Sequence, residues 1–245
     1  MQLSVTPGRL VVLRSVLADT GRVLTFRQPS GMFLDHWRAY LICGLGMTLL
    51  AGMGRYWNNP RAELWQQLGM GSVVYVIVLA LVLRVLLVPF KPRACTLRNL
   101  LLFLLITSPP GLLFLIPVES FFSLRGAQLA NAGLLGFVAL WRVTLLMWFL
   151  RSIARLSGLA IVIASLAPLI FIAATLTLLN LEHVVIDYLN GVRPEQYSPN
   201  DLSYSILTLL SFISMFAAPY LLVGYAWAWY RADRMMIVQP TRRQP

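Results

Sequence analysis

An apolar run from Leu100 to Phe122 constrains the fold of this chain more than any other stretch. About 20 consecutive apolar residues are enough for a helix to cross a bilayer, so the run predicts a membrane span. Two prolines interrupt its middle. Because proline removes a backbone donor and clashes with the preceding turn, we expect the helix to kink or unwind there. The break consists of Ser108, Pro109, Pro110 and Gly111.

Composition indicates that this run is one of several. Hydrophobic residues make up 58% and charged residues 12% of the 245-residue chain, against about 45–50% and about 25% in soluble domains. We therefore predict an all-α fold, a polytopic bundle in which residues 37–230 form a membrane domain of about six transmembrane helices. The predicted spans lie at about residues 37–53, 71–90, 100–122, 133–150, 158–179 and 204–230.

Residues 1–36 are predicted to form a cytoplasmic amphipathic segment. Their apolar patch is short and arginine follows it at once, which is not the pattern of a secretory signal peptide. Leu10, Leu13 and Leu17 share one helical face. A helix of this kind can lie on the cytoplasmic membrane surface or pack against the protein's own bundle. The pattern leaves both interpretations open.

The net charge of +11 is distributed unevenly around the predicted spans. With the N-terminus in the cytoplasm, the inner segments contain Arg9, Arg14, Arg22, Arg27, Arg38, Lys91, Arg93, Arg98, Arg151, Arg155, Arg231, Arg234, Arg242 and Arg243. The outer segments contain Arg55, Arg61, Arg125 and Arg193. Since basic residues accumulate in cytoplasmic loops, we predict a bacterial inner (plasma) membrane protein with both termini, including a basic tail at 231–245, in the cytoplasm.

The basic residues do not indicate a nucleic-acid partner. Nucleic-acid binding requires a basic patch on a folded face, whereas these arginines are scattered at the ends of spans. The partners predicted from the charge are membrane lipids with anionic headgroups at the cytoplasmic face.

Arg142 is the most informative single residue, because it lies inside a predicted span. It precedes Arg151 by nine residues, which places it about 13 Å from the inner surface. Pro109 follows Arg98 by eleven residues and should lie at a similar depth. An unwound segment exposes carbonyls that a guanidinium can satisfy, so we predict that Arg142 meets the break.

Three interpretations of Arg142 remain open. A buried arginine can lock two helices together. It can also form a site for an anionic substrate or lipid headgroup, or its long side chain can reach toward the membrane surface. We expect Arg84, which lies nearer the end of its span, to reach the surface in this last way.

The first predicted span is rich in glycine. Small residues let helix backbones approach closely in lipid, so these positions predict a packing face. They are Gly44, Gly46, Gly52 and Gly54.

The sequence contains no recognisable catalytic, metal or cofactor motif, and we predict that the chain is not an enzyme and binds no cofactor. His183 and Asp187 could share a helical face beside Glu182, but a third and a fourth metal ligand are missing nearby. We therefore interpret residues 180–203 as a solvated outer loop. The two cysteines, Cys43 and Cys95, have no metal-binding spacing.

Two stretches resemble bacterial members of the Yip family. The first runs from Leu10 through Phe26-Arg-Gln-Pro to a span that begins at Trp37, and the second runs from Leu140 through Trp148 to Arg155-Leu-Ser-Gly. The resemblance implies a multispan membrane protein whose eukaryotic relatives bind Rab GTPases and act in vesicle trafficking. It assigns no functional residue, and the family usually has five spans where six are predicted here.

These observations favour an integral membrane scaffold that organises or recruits partners, either another protein or a second copy of this chain. The alternative is a small transporter or channel subunit with an anion or lipid-headgroup site at the broken third span and Arg142. The predicted spans have no acidic residue near the middle, which counts against a proton- or cation-coupled carrier. A membrane-embedded enzyme acting on lipid is a weaker third reading.

Overall fold

The computed structural model describes residues 9–56, 63–90, 92, 95–171 and 201–237. Within these ranges the chain is helical and contains no strand, which confirms the predicted all-α fold. The α-helices are α1 Arg9–Leu24, α2 Met32–Asp35, α3 Trp37–Tyr56, α4 Leu64–Gln67, α5 Met70–Leu87, α6 Leu97–Ile106, α7 Leu124–Ser152, α8 Gly158–Phe171 and α9 Asp201–Ile237. Three 3₁₀ segments cover Val88–Phe90, Pro109–Leu115 and Val118–Ser120.

Four helical segments of the described chain are long and apolar enough to cross a membrane. They are Met70–Phe90, Leu97–Ser120, Leu124–Ser152 and Ser205–Arg231. They coincide with four of the predicted spans and make this an integral membrane protein. α3 occupies the place of the first predicted span but is not among the four, and α8 covers only the described part of the fifth. The count of six spans therefore stays a prediction.

The broken span follows α3 along its whole length. Matching residues of the two segments approach each other in order: Trp37 with Arg98, Gly44 with Leu105, Thr48 with Ser108, Ala51 with Gly111 and Gly54 with Leu115. The two segments therefore run parallel. The chain passes through the break and continues in the same direction, so the segment is one traverse and not two re-entrant halves.

The glycines of α3 create these close approaches. A Cβ on Gly44 would lie 2.7 Å from the Leu105 Cβ, and a Cβ on Gly54 would lie 2.9 Å from a backbone nitrogen of the broken span. A Cβ on Gly52 would lie 2.7 Å from the Cα of Gly69, which precedes α5. The predicted packing face is confirmed at these three positions, whereas Gly46 faces open space. The contact of Gly52 also makes α5 antiparallel to α3.

Several helix ends meet beside the starts of α3 and α6. The Tyr225 hydroxyl of α9 donates to the Leu86 carbonyl of α5 over 3.1 Å. Phe26, which follows α1, packs edge-on against Trp148 of α7 with ring centroids 6.3 Å apart. We call this the basic side of the bundle. Arginines on this side include Arg14, Arg22, Arg27, Arg38, Arg84, Arg98, Arg151, Arg155 and Arg231, and the opposite helix ends carry Arg55 and Arg125.

Candidate functional site

The two prolines of the broken span change the hydrogen bonding of the turn before them. Pro109 has no N–H to donate to the Leu105 carbonyl, which is its ordinary acceptor in an α-helix. The Ser108 N–H donates to Leu105 instead, over 3.1 Å. α6 therefore ends at Ile106, and the carbonyl of Leu104 loses the backbone donor that a continuous helix would supply. The predicted break is thus confirmed, and it releases one specific carbonyl.

Three side chains donate to this released carbonyl of Leu104. The Thr107 hydroxyl lies 3.0 Å away, the Ser108 hydroxyl 3.3 Å and the Nη2 of Arg142 3.4 Å. The distance to Arg142 is at the long end for a hydrogen bond, but a charged donor strengthens it. Arg142 belongs to α7, so its guanidinium joins α7 to the last turn of α6.

A second polar contact joins the break to α3. The hydroxyls of Thr48 and Ser108 lie 2.7 Å apart, and both side chains are buried. The Thr48 hydroxyl also donates to the Gly44 carbonyl over 2.8 Å. Each hydroxyl has one proton, so the contact between them competes either with the bond from Thr48 to Gly44 or with the bond from Ser108 to Leu104. Every polar group in this contact is paired, as burial in an apolar environment requires.

The structure brings the predicted residues of this site together, although not as the sequence predicted in every detail. Arg142 and Ser108 meet at Leu104, whereas the prediction placed the acceptor within Ser108 to Gly111. Pro109 and Pro110 shape the backbone. Gly111 is buried, and a Cβ there would lie 2.9 Å from the Cβ of Ala51.

The environment of Arg142 favours a helix-packing role. Its side chain is partly buried, and its one hydrogen bond within the described chain goes to a backbone carbonyl. The described ranges contain one ion pair, between Arg22 and Asp19, so no carboxylate described here neutralises Arg142. The site therefore holds a positive charge at the junction of α6 and α7.

A second polar cluster, which the sequence analysis missed, surrounds Asp19 near the end of α1. The Asp19 side chain is 1% exposed. It accepts hydrogen bonds from the Ser30 N–H at 3.0 Å, the Ser30 hydroxyl at 2.7 Å and the Tyr40 hydroxyl at 2.6 Å. Arg22 lies 3.5 Å away and adds a charged partner. The signal in the sequence was a single carboxylate within a basic amphipathic helix.

The Asp19 cluster fastens α1 to the bundle. Val16 and Val23 are buried on the same helix, whereas Leu10, Leu13 and Leu17 are 82%, 47% and 56% exposed. One face of α1 packs against the bundle, as the packing interpretation expected, and the leucines of the predicted apolar face are exposed in the described structure. Contact of that face with the membrane stays a prediction.

The remaining candidates from the sequence are the acidic and histidine residues of the predicted outer loop and the cysteines. Glu182, His183 and Asp187 lie outside the described residues, and the described ranges contain no cluster of His, Cys, Asp or Glu that could hold a metal ion. Burial raises the pKa of the Cys95 thiol to about 11, although Arg84 acts in the opposite direction. Cys95 is therefore a neutral, poorly nucleophilic thiol at physiological pH.

Comparison with known proteins adds no family assignment: no protein-family model, no curated protein and no solved structure matches this chain.

Proposed function

We propose that this chain is an integral membrane scaffold that recruits partners and performs no catalytic chemistry. The proposal rests on one observation: the Asp19 cluster holds α1 against the bundle while Leu10, Leu13 and Leu17 remain exposed. A helix fixed in this way presents a preformed apolar face, so a partner does not have to order the helix before it binds.

The charge around α1 indicates where this face lies. The basic side carries most of the described arginines, and basic residues accumulate on the cytoplasmic side of membranes. We therefore propose a bacterial inner membrane location with both termini in the cytoplasm. Anionic lipid headgroups are attracted to such a surface, and the exposed leucines can enter the interface between headgroups and acyl chains. The similarity to bacterial Yip proteins favours the same kind of scaffold.

α9 offers a surface for a protein partner or a second copy of the chain. Of its spanning segment, 6% is buried within the described structure, against 50% of the broken span. Phe216, Tyr220 and Val223 are exposed on it. In a bilayer this helix contacts either lipid or another helix. Because lipid tails and helix surfaces are both apolar, replacing lipid by a partner helix costs little free energy.

Site-specific photo-crosslinking in native membranes tests the scaffold proposal. A benzophenone amino acid placed at Leu13 or at Leu17 should capture a discrete protein partner, because both side chains are exposed. Val16 lies on the buried face of the same helix and provides the matched control. Equal capture from all three positions, or capture of no protein from any of them and from Tyr220, would contradict the proposal.

A transporter or channel subunit is the second candidate. It is favoured by the charge of Arg142, which has a single hydrogen bond and no carboxylate partner in the described chain. Anion flux in proteoliposomes should then depend on this charge, and Arg142→Gln should abolish the flux while leaving the protein monodisperse. Absence of flux from the unaltered protein, together with successful crosslinking at α1, would leave the scaffold as the function.

A further inference from the structure

The starts of α3 and α6 form a positively charged surface on the basic side of the bundle. The guanidinium carbon of Arg38 lies 5.4 Å from the centroid of the Trp37 ring, and that of Arg98 lies 6.0 Å from the same ring. Because α3 and α6 run parallel, their N-terminal ends lie together, and each end contributes partial positive charge. Two arginines and two helix ends therefore converge around one tryptophan.

The two arginines are not neutralised by carboxylates within the described structure. Both side chains are exposed, and the ion pair of the described ranges is formed by Arg22 and Asp19. Asp35 lies three residues before Arg38 and is exposed, but it is not in ion-pair contact with either guanidinium. An anion bound beside the Trp37 ring would be attracted to both guanidinium groups.

An apolar stripe on α3 begins directly after Arg38. Residues four apart lie on one face of a helix, so Ile42, Gly46 and Leu50 follow Arg38 along the same side. Ile42 is 69% exposed and Leu50 is 49% exposed. A Cβ on Gly46 would meet nothing within 4 Å, so the surface is open between these two side chains. The stripe is an exposed apolar surface that runs from the charged end of α3 toward the opposite end.

We propose that this surface binds one anionic phospholipid. Its phosphate lies between Arg38 and Arg98 beside the Trp37 ring, and one acyl chain lies along Ile42, Gly46 and Leu50. Guanidinium groups bind phosphate through paired donors, and tryptophan is suited to the headgroup level of a membrane. The apolar stripe selects a lipid over free phosphate, because a soluble anion gains nothing from it. The inference rests on the membrane location in the proposed function and does not require the scaffold role.

Native mass spectrometry of the purified full-length protein tests this site. The protein is titrated with phosphatidylglycerol and with phosphatidylcholine of the same acyl chains. We expect one phosphatidylglycerol to bind with preference over phosphatidylcholine. The double variant Arg38→Gln/Arg98→Gln should weaken phosphatidylglycerol binding about tenfold. Arg151→Gln/Arg155→Gln removes two exposed arginines elsewhere on the basic side and should leave binding unchanged.

A second variant tests the apolar stripe of Ile42, Gly46 and Leu50 independently of charge. Gly46→Leu adds a side chain where a Cβ would meet nothing within 4 Å, and it should weaken phosphatidylglycerol binding several-fold while leaving the two arginines intact. If the double arginine variant does not fold, Gly46→Leu still tests the proposed lipid site. A soluble glycerol phosphate at millimolar concentration should not displace the lipid.

Three results would overturn the inference: equal binding of the two lipids, equal loss in both pairs of arginine variants, or displacement by glycerol phosphate. Because the measurement uses isolated protein, it does not depend on the crosslinking at α1. Failure to capture a protein partner would count against the scaffold and not against the lipid site.

Discussion

Proline lies inside both the broken span and α9, and the chain responds differently in each. In the broken span, Pro109 and Pro110 end α6 and convert the following residues into a 3₁₀ segment. In α9, Pro219 lies inside a continuous helix from Asp201 to Ile237. The broken span is 50% buried and the span of α9 is 6% buried.

The two segments differ in how many backbone donors proline removes and in which carbonyls are left without a donor. A single proline removes one donor, and a helix accommodates this by a small local adjustment. Two consecutive prolines followed by glycine end the regular pattern, and the carbonyl of Leu104 then needs donors from side chains. Those donors come from the break itself and from Arg142 on α7. The broken span must therefore be packed against its neighbours, whereas α9 can stand at the edge of the bundle.

The largest expected contrast comes from adding one methyl group to α3, where it contacts the broken span, and one to α9. Gly44→Ala places a Cβ 2.7 Å from the Leu105 Cβ, and we expect it to destabilise the protein by about 1–3 kcal/mol through overpacking. Gly224 in α9 has its nearest contact at 3.8 Å. Gly224→Ala should be neutral or stabilise by up to about 1 kcal/mol, because alanine is the better helix former. Thermal unfolding of both variants in one detergent measures the two changes in stability. Equal shifts of the two unfolding temperatures would contradict the expected difference.

A double-mutant cycle measures the next effect, the hydroxyl contact between α3 and the break. Thr48→Val and Ser108→Ala each remove one side of the 2.7 Å contact, and the coupling energy should be about 0.5–1.5 kcal/mol. Ser214 of α9 donates to Leu210 in its own helix, so Ser214→Ala combined with Thr48→Val should show no coupling. A coupling near zero in the first cycle would mean that the hydroxyl contact does not hold the break to α3.

A smaller loss of stability is expected from weakening the contact between α9 and α5. Tyr225→Phe removes the hydrogen bond from its hydroxyl to the Leu86 carbonyl but keeps the ring, which packs against Phe90 with centroids 5.7 Å apart. The free energy of unfolding should fall by about 0.5–1 kcal/mol. Tyr220→Phe is the matched control, because Tyr220 is 81% exposed and its hydroxyl should contribute nothing measurable. A larger loss at Tyr220 than at Tyr225 would show that α9 packs through the other face.

The smallest effect is kinetic and concerns the loop before α6. Cys95 is 4% exposed, and burial raises its pKa to about 11. Because only the thiolate reacts, alkylation by iodoacetamide in a Cys43→Ser background should be slow at pH 8 and increase with pH up to about 11. Ser157→Cys in a background without other cysteines supplies an exposed thiol for comparison. Equal rates at the two positions would show that the entry to the broken span is open.

The sequence predicted the fold class, the break and the position of Arg142 level with that break, each for a local reason. Apolar runs require helices in a bilayer, proline interrupts them, and the rise of a helix converts a count of residues into a depth. The close packing of Gly44, Gly52 and Gly54 followed from their size. These predictions depend on neighbours within one segment.

The polar contacts were harder to predict, because their partners are distant in the chain. Thr48 and Ser108 are separated by 60 positions, and Asp19 and Tyr40 by 21. A hydroxyl in an apolar span and a carboxylate in a basic helix signalled that a partner exists, without saying which residue it is. The prediction for Arg142 named the correct part of the broken span but not Leu104, since the identity of the released carbonyl depends on how the Ser108 N–H is redirected.

A bilayer offers no water to unpaired backbone groups, so composition and proline chemistry were sufficient to establish membrane helices with one broken span. Which helices meet at that break depended on the tertiary structure, because the released carbonyl of Leu104 can be satisfied by any donor that packing brings within reach. Packing brought Arg142 from α7 to that carbonyl and Thr48 from α3 to the Ser108 hydroxyl. In the same way, a local pattern made α1 amphipathic, but the buried carboxylate of Asp19 decided which face packs against the protein and which remains exposed.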